Sequence, residues 1–303
     1  MKHDPKLDQA YALCRAIARH EAKNFYYAFI ALPTPRRNAI CAIYAFMRKA
    51  DDLADDETLT REERRRRLDA WRADWRGVCH GGDSSDLVFL AVRDATERFH
   101  IPLSLLDELI EGVTMDLDQS TSGAPDTYAT FAELYRYCYL VASVVGLVCI
   151  HIFGYRDRRA EKLAEETGIA FQLTNILRDV AEDASRNRVY LPLEDLAAHN
   201  VSLQSLLHRA PGTPPTRQER ALLTEIARRA EDFYQSAQEL MPLIDRESRP
   251  ALWVLVAIYH ALLERIRRAD YDVFSTRASV PMPQKIAILV TGLTRMGLAR
   301  LFS

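Results

Sequence analysis

Two segments of this 303-residue chain set aspartates four positions apart inside stretches that are otherwise apolar. The first is Asp51, Asp52 and Asp55, led by Ile40, Ala42, Ile43, Ala45, Phe46, Met47 and Ala50. The second is Asp179 and Asp183, beside Ile169, Leu173, Ile176, Leu177 and Val180. On a helix, residues i and i+4 share a face, and a like-charged pair there costs about 0.2–0.5 kcal/mol even when exposed. A helix apolar on its other faces is mostly buried. Buried like charges cost far more unless they are protonated or neutralised by a cation. A fold for this chain therefore has to protonate these rows or bring a cation to them. A solvated helix face is the plain alternative for either row alone, and the two rows together argue against it.

Nothing in the remainder of the chain competes with a helical fold. Sustained period-two alternation is absent, and segments of helical period fill most of the length. Helices are expected over Leu7–Leu32, Arg36–Asp55, Arg61–Val78, Ser84–Phe99, Leu103–Leu117, Tyr128–Phe153, Arg156–Glu182, Leu203–Ala210, Pro215–Leu243, Arg249–Ala269 and Pro283–Arg300. Pro33 and Pro35, Gly81-Gly82, Ser122 to Pro125, Pro192 to Val201 and Pro211 to Pro215 mark the breaks. No linker divides the chain. The expectation is an all-α, single-domain helical bundle over residues 1–303, its halves facing each other across a central cavity. The apolar run Leu140 to Phe153 is shorter than the ~20 residues of a membrane span and reads as a core helix. Trp71, Trp75 and Leu68 form a second core stripe, and His151 reads as a core histidine.

Charge and cysteine usage narrow the function classes. A formal net charge of −2 gives no global attraction to nucleic acid, and the Arg64–Arg67 run alternates with Glu62, Glu63 and Asp69 as a solvated face. Five cysteines without a CxxC pair suggest reduced thiols and a cytoplasmic location. The N-terminus has no apolar signal segment.

At 100° per residue, Tyr44, Arg48, Asp51 and Asp55 fall within an arc of about 60°, and Gln172, Asn175, Asp179 and Asp183 within about 80°. Oxygen ligands without His or Cys suit a hard cation such as Mg²⁺. With Arg48 and Arg178 among them, the two rows suit a metal-bridged diphosphate. Met115-Asp116-Leu117-Asp118 either extends the acidic wall or is a solvated helix end.

These residues carry a resemblance. Asp51-Asp-Leu-Ala-Asp55 preceded by Ala42-Ile-Tyr-Ala-Phe-Met-Arg48, and Gln172 through Asp183 followed by Arg188-Val-Tyr-Leu-Pro192, resemble the two aspartate-rich regions of squalene and phytoene synthases. Asn24-Phe-Tyr-Tyr-Ala-Phe29 and the aromatic segment Leu134 to Gly146 extend the likeness over roughly residues 10 to 280. The resemblance implies a helical bundle of isoprenoid-synthase type. Asp51, Asp55, Asp179 and Asp183 would bind Mg²⁺ with Asn175 assisting. Arg48 and Arg178 would contact diphosphate. Gln172, Tyr44 and Tyr137 would line the reacting centre, and Tyr259 and Arg277 would be C-terminal substrate contacts. The family often carries His-Ser-x-Ser-Phe where this chain has His20-Glu-Ala-Lys-Asn-Phe25, so His20 sits one position out of register and is given no role.

The implied reaction joins two prenyl diphosphates (farnesyl or geranylgeranyl) head-to-head through a cyclopropyl diphosphate. Of squalene-type C30 and phytoene-type C40 products, C30 is slightly preferred. Apolar walls would exclude water, and the ring faces of Phe25 and Tyr44 would stabilise the allylic cation. No Gly-rich nucleotide fingerprint follows a strand, so NADPH has no support in the sequence, although family members bind it without that fold. A chain-elongating prenyltransferase or terpene cyclase is the alternative, because Asp51-Asp52-x-x-Asp55 reads as DDxxD; the second region lacks one. A non-catalytic helical scaffold is a third reading. Peripheral membrane contact is expected from the lipidic substrates and the apolar stretch Ile286 to Phe302, against a packed terminal helix as the plainer reading.

Overall fold

The computed structural model describes residues 4–21, 23–118, 124–210 and 212–301; side chains at 23–25, 27, 116, 118 and 295–301 lie outside the described residues. The chain is all-α, as expected. Its helices are α1 (Pro5–Glu21), α2 (Lys23–Ile30), α3 (Thr34–Ala54), α4 (Arg61–Cys79), α5 (Leu87–Phe99), α6 (Leu103–Asp118) and α7 (Phe131–Cys138). They continue as α8 (Val144–Phe153), α9 (Arg159–Ser185), α10 (Leu193–Ala198), α11 (Leu203–Leu207), α12 (Arg217–Leu240), α13 (Arg249–Arg268) and α14 (Met282–Leu301).

Local chemistry sets the ends. Side-chain oxygens of Thr60, Asp86 and Thr130 accept from Glu63 N, Val88 N and Glu133 N at 3.3, 2.8 and 3.3 Å, satisfying amides that a helix start leaves unpaired. Thr216 and Glu219 cap α12 reciprocally. Pro192 opens α10, and Asn200, at φ 54°, follows it in the left-handed region that Asn tolerates. The loop expected from Pro192 to Val201 is corrected accordingly: its middle is a helix too short to show a period. The helix expected over Leu203–Ala210 stops at Leu207.

Two apolar clusters fill the interior. In the first, α3 packs on α1 and α5, and the rings of Phe46, Trp71, Trp75 and Phe89 meet at centroid distances of 4.7–6.3 Å. In the second, α9 lies along α12 and against α13. Phe171 and Val256, both half-buried, pack on both clusters and mark the boundary between them.

The segment from α7 to α8 is continuous but contains one π turn, Tyr139–Ser143. It packs on α6 and α9, where glycines let the backbones approach: a Cβ on Gly112 would lie 2.9 Å from Leu140 O, and one on Gly168 would lie 2.5 Å from Ser143 Cα. Phe131–Phe153 is long and apolar enough to cross a membrane, yet half of its apolar window is buried against those neighbours, as a core helix is. A two-residue parallel pairing, Asp126↔Arg188 and Thr127↔Val189, ties the loop after α6 to the turn after α9.

Candidate active site

The burial of Ile169, Ala170, Leu173, Ile176, Leu177 and Val180 fixes how α9 is rotated, and so where its polar line points. Gln172, Asn175, Asp179 and Asp183 are all half-buried, neither solvated nor sealed. Asn175 Nδ2 donates to Gln172 Oε1 at 3.3 Å. Arg178 donates to both oxygens of Asp179, Nε at 2.8 Å. Arg277 reaches the same carboxylate, with Nε donating to Oδ1 at 2.8 Å and lying 3.4 Å from Glu182 Oε2. Burial works against the charged form of Asp179, but the hydrogen bonds from the two arginines outweigh it and hold the carboxyl below its usual range. Asp183 has no such help. Burial, then the neighbouring Asp179 and Glu182 carboxylates, push it up to about 7, with only partial relief from Arg188 and Arg186.

On α3 the row sits in the last turns. Tyr44 is half-buried, edge-on to Phe29 at 6.3 Å, and burial raises its hydroxyl pKa against the pull of Arg48. Asp51 is half-buried, whereas Asp55 is exposed and ends the helix, its N–H donating to Asp51 O at 2.8 Å. The expectation of a buried acidic pair is corrected here, because α3 is buried up to Ala50 but emerges at its C-terminal turn. Arg48 pairs with Asp52 at 2.7 Å, a residue that projection had left off the row.

The remaining expected residues divide. Tyr259 is buried and stacks on Phe171 at 4.4 Å with planes 14° apart. With Arg178, Arg277 and Lys285 it lines a pocket of about 100 Å³. Tyr137, 4% exposed, lies in an aromatic stack with Tyr190 at 4.9 Å and Tyr128 at 5.4 Å. The side chain of Phe25 lies outside the described residues, as do those of Asp116 and Asp118. His20 is solvent-exposed, with Nδ1 2.5 Å from Glu21 Oε1. Sequence reasoning missed Lys285 and Glu182; it named Asp52 without giving it a role, although its i,i+4 spacing from Arg48 signalled the pair.

Three observations bear on whether these residues suit a hard cation. Asn175 Oδ1 is buried without a hydrogen-bond partner. Asp183 is short of positive charge. Asp51 and Asp183 also lie in the last turns of α3 and α9, where the helix dipole is negative, and neither turn holds a basic residue; each of these two acids is disfavoured by about 0.3–1 kcal/mol. The donor set fits Mg²⁺. Elsewhere Glu231, His260 and Glu264 bring ligand atoms within 4.8 Å of one another, but Arg267 already pairs with both glutamates.

An all-helical chain whose helices carry carboxylate rows beside arginines suits the class of enzymes that act on metal-bridged diphosphates. Comparison with known proteins makes it specific. The squalene/phytoene synthase family profile matches residues 18–284. Phytoene synthase of Mycobacterium tuberculosis is 37% identical over 288 residues, covering 95% of this chain and 92% of that one. The 15-cis-phytoene synthase of Synechocystis sp. is 35% identical over 298 residues, covering 93% and 84%. Among solved structures, a dehydrosqualene synthase superposes with a TM-score of 0.83 at 29% identity, covering 96% of this chain and 98% of that one. The squalene synthase HpnC of Alicyclobacillus acidocaldarius gives 0.80 at 26%, covering 89% and 97%. This chain belongs to the squalene/phytoene synthase family, prenyltransferases that join prenyl diphosphates head-to-head.

Proposed function

We propose that the chain condenses two C20 prenyl diphosphates head-to-head to a phytoene-type C40 product, in a Mg²⁺-dependent reaction through a cyclopropyl diphosphate. The curated relatives, phytoene synthases at 33–37% identity, support C20 donors over the C30 preference of the sequence. The C15 reading stays as the second one, because the dehydrosqualene and squalene synthase structures share the fold at 29% and 26% identity.

The observation that carries the chemistry is the α9 line: an unpartnered Asn175 Oδ1 beside Asp179 and Asp183. In this reading Asp51, Asp55, Asp179 and Asp183, with Asn175, hold Mg²⁺. Bound there, the ion supplies positive charge for the departing diphosphate. Arg48, Arg178 and Arg277 orient the diphosphate oxygens with charge-assisted hydrogen bonds. Phe171 and Val256, at the boundary of the two clusters, keep water from the allylic chains. The ring of Tyr44 offers its face to positive charge on carbon. NADPH has no place in this reading, because a phytoene-type product closes by proton loss rather than reduction.

The test is turnover of radiolabelled farnesyl and geranylgeranyl diphosphates, with and without isopentenyl diphosphate and NADPH, read by mass spectrometry. A C40 product from geranylgeranyl diphosphate alone is expected. Incorporation of isopentenyl diphosphate would establish chain elongation instead, and full activity of Asp179→Asn would remove the metal-row mechanism.

A further inference from the structure

Arginines cover the acids at the end of α9 unevenly. Asp179 accepts from both Arg178 and Arg277. Glu182 pairs with Arg186 at 3.1 Å and lies 3.4 Å from Arg277 Nε. Asp183 follows Glu182 directly, yet among the described residues it forms no ion pair. The charge of Arg188 acts on it more strongly than that of Arg186, but without contact.

The reason lies outside α9. After that helix the backbone turns at Asn187, in the left-handed region at φ 61°, and then runs parallel to the segment before α7. Asp126 N donates to Asn187 O at 3.0 Å, and the pairing sets Asp126 opposite Arg188. Arg188 Nε then lies 3.7 Å from Asp126 Oδ2. Val189 and Tyr190 are 3% and 7% exposed, and Tyr190 stacks on Tyr137 at 4.9 Å. The strand cannot slip by a residue without uncovering them, so the register is fixed.

The Asp126 side chain is only 12% exposed. Burial works against its charge, and Arg188 and then Arg61 offset this in part, leaving the carboxyl above its usual range. Asp126 therefore needs Arg188 as much as Asp183 does. One guanidinium stands in the field of two acids, and the strand pair gives it to Asp126.

We propose that Asp126 is a positioning residue that holds Arg188 clear of Asp183 and so keeps the Asp183 oxygens open to a cation. The inference rests on the reading that Asp183 holds Mg²⁺, and adds to it a residue from outside both acid rows. Without the Asp126 charge, Arg188 turns to Asp183 and puts a guanidinium where the metal would sit.

The test titrates Mg²⁺ alone into the metal-free full chain, by calorimetry and by the shift in melting temperature. The proteins are wild type, Asp126→Asn, Arg188→Gln and the double variant. Asp126→Asn should bind Mg²⁺ about tenfold more weakly, as is typical when a residue that orients a metal site from outside its ligands is lost. Its metal-free melting temperature should hold, since Arg188 and Asp183 then neutralise each other. Arg188→Gln should bind at least as tightly as wild type. Adding Asp126→Asn to it should change nothing further, because no guanidinium is left to restrain. Asp126→Ser takes the place of Asp126→Asn if the latter misfolds by circular dichroism. Equal weakening by the Asp126 variant in both backgrounds would make Asp126 a distant charge only and overturn the inference. A lowered melting temperature with unchanged Mg²⁺ affinity also overturns it, since Asp126 would then serve the strand pair alone. A wild type that binds no Mg²⁺, or an Asp183→Asn protein that binds it undiminished, overturns the metal reading itself and this inference with it.

Discussion

Arg277 Nε donates to Asp179 Oδ1 at 2.8 Å across 98 positions of sequence, bringing the segment after α13 onto the acid row of α9. Arg178 holds the same carboxylate from the neighbouring position. Removing Arg277 leaves Asp179 with one guanidinium and the pocket with one cation fewer. A hydrogen bond to a charged group is worth about 1.5–3 kcal/mol, so Arg277→Ala should lower kcat/KM on the order of 10–100-fold. Arg277→Lys should recover only part of this, because an ammonium cannot reproduce the planar fork. Steady-state diphosphate release, with helicity checked by circular dichroism, measures both.

Asn175 presents the opposite situation, an oxygen with too few partners. If Oδ1 is a ligand in waiting, Asn175→Ala should raise the Mg²⁺ concentration for half-maximal activity about tenfold, equivalent to ~1.4 kcal/mol. The melting temperature of the metal-free protein should hold or rise, because an unsatisfied buried oxygen has been removed. A lowered melting temperature with an unchanged Mg²⁺ requirement would make Asn175 a packing residue.

The π turn depends on an absent side chain. Gly168 faces Ser143 so closely that a methyl group would sit 2.5 Å from Ser143 Cα and 2.8 Å from its backbone nitrogen. Backbone cannot step aside as a side-chain tip can. Gly168→Ala should therefore destabilise the protein by about 1–3 kcal/mol through overpacking, despite the better helix propensity of alanine. It should also lower turnover by displacing the half-buried Phe171 and Gln172 one turn along α9. Chemical denaturation and the product assay check the two effects separately.

What the sequence disclosed divides along a physical line. Helical period was local information, and it located α3 and α9 and put Tyr44, Arg48 and Asp51 on one side and Gln172, Asn175 and Asp179 on another. The π turn at Tyr139–Ser143 was not legible, because it answers to Gly112 and Gly168 on other helices. The six residues of α10 are too few to show a period. Projection places a Cα but not the end of a long side chain, so it could not tell that Arg48 would turn to Asp52 or that Arg277 would reach Asp179. Lys285 was passed over because what sets it apart is its place in the pocket that α13 and the following loop build around it.

Glu219 gives the fold a pH dependence that is independent of the acid rows. Its side chain is 3% exposed, caps the start of α12 through Thr216, and pairs with Arg209, whose guanidinium lies 3.9 Å from the centre of the Phe274 ring. Burial opposes the charged form, but the hydrogen bonds from Arg209 and Thr216 prevail and hold its pKa below the ordinary glutamate value. A carboxylate whose pKa is depressed by folding stabilises the native state above its unfolded pKa, and that contribution disappears as pH falls through the folded value. Stability should therefore be flat above the usual glutamate range with respect to this group and decline on acidification below it. Glu219→Gln should remove that part of the decline. At neutral pH it should cost about 3–5 kcal/mol, since Arg209 would be left buried without its counter-charge. Denaturant midpoints measured across a pH series for both proteins decide it: parallel curves for wild type and variant would mean that the pair contributes no acid sensitivity.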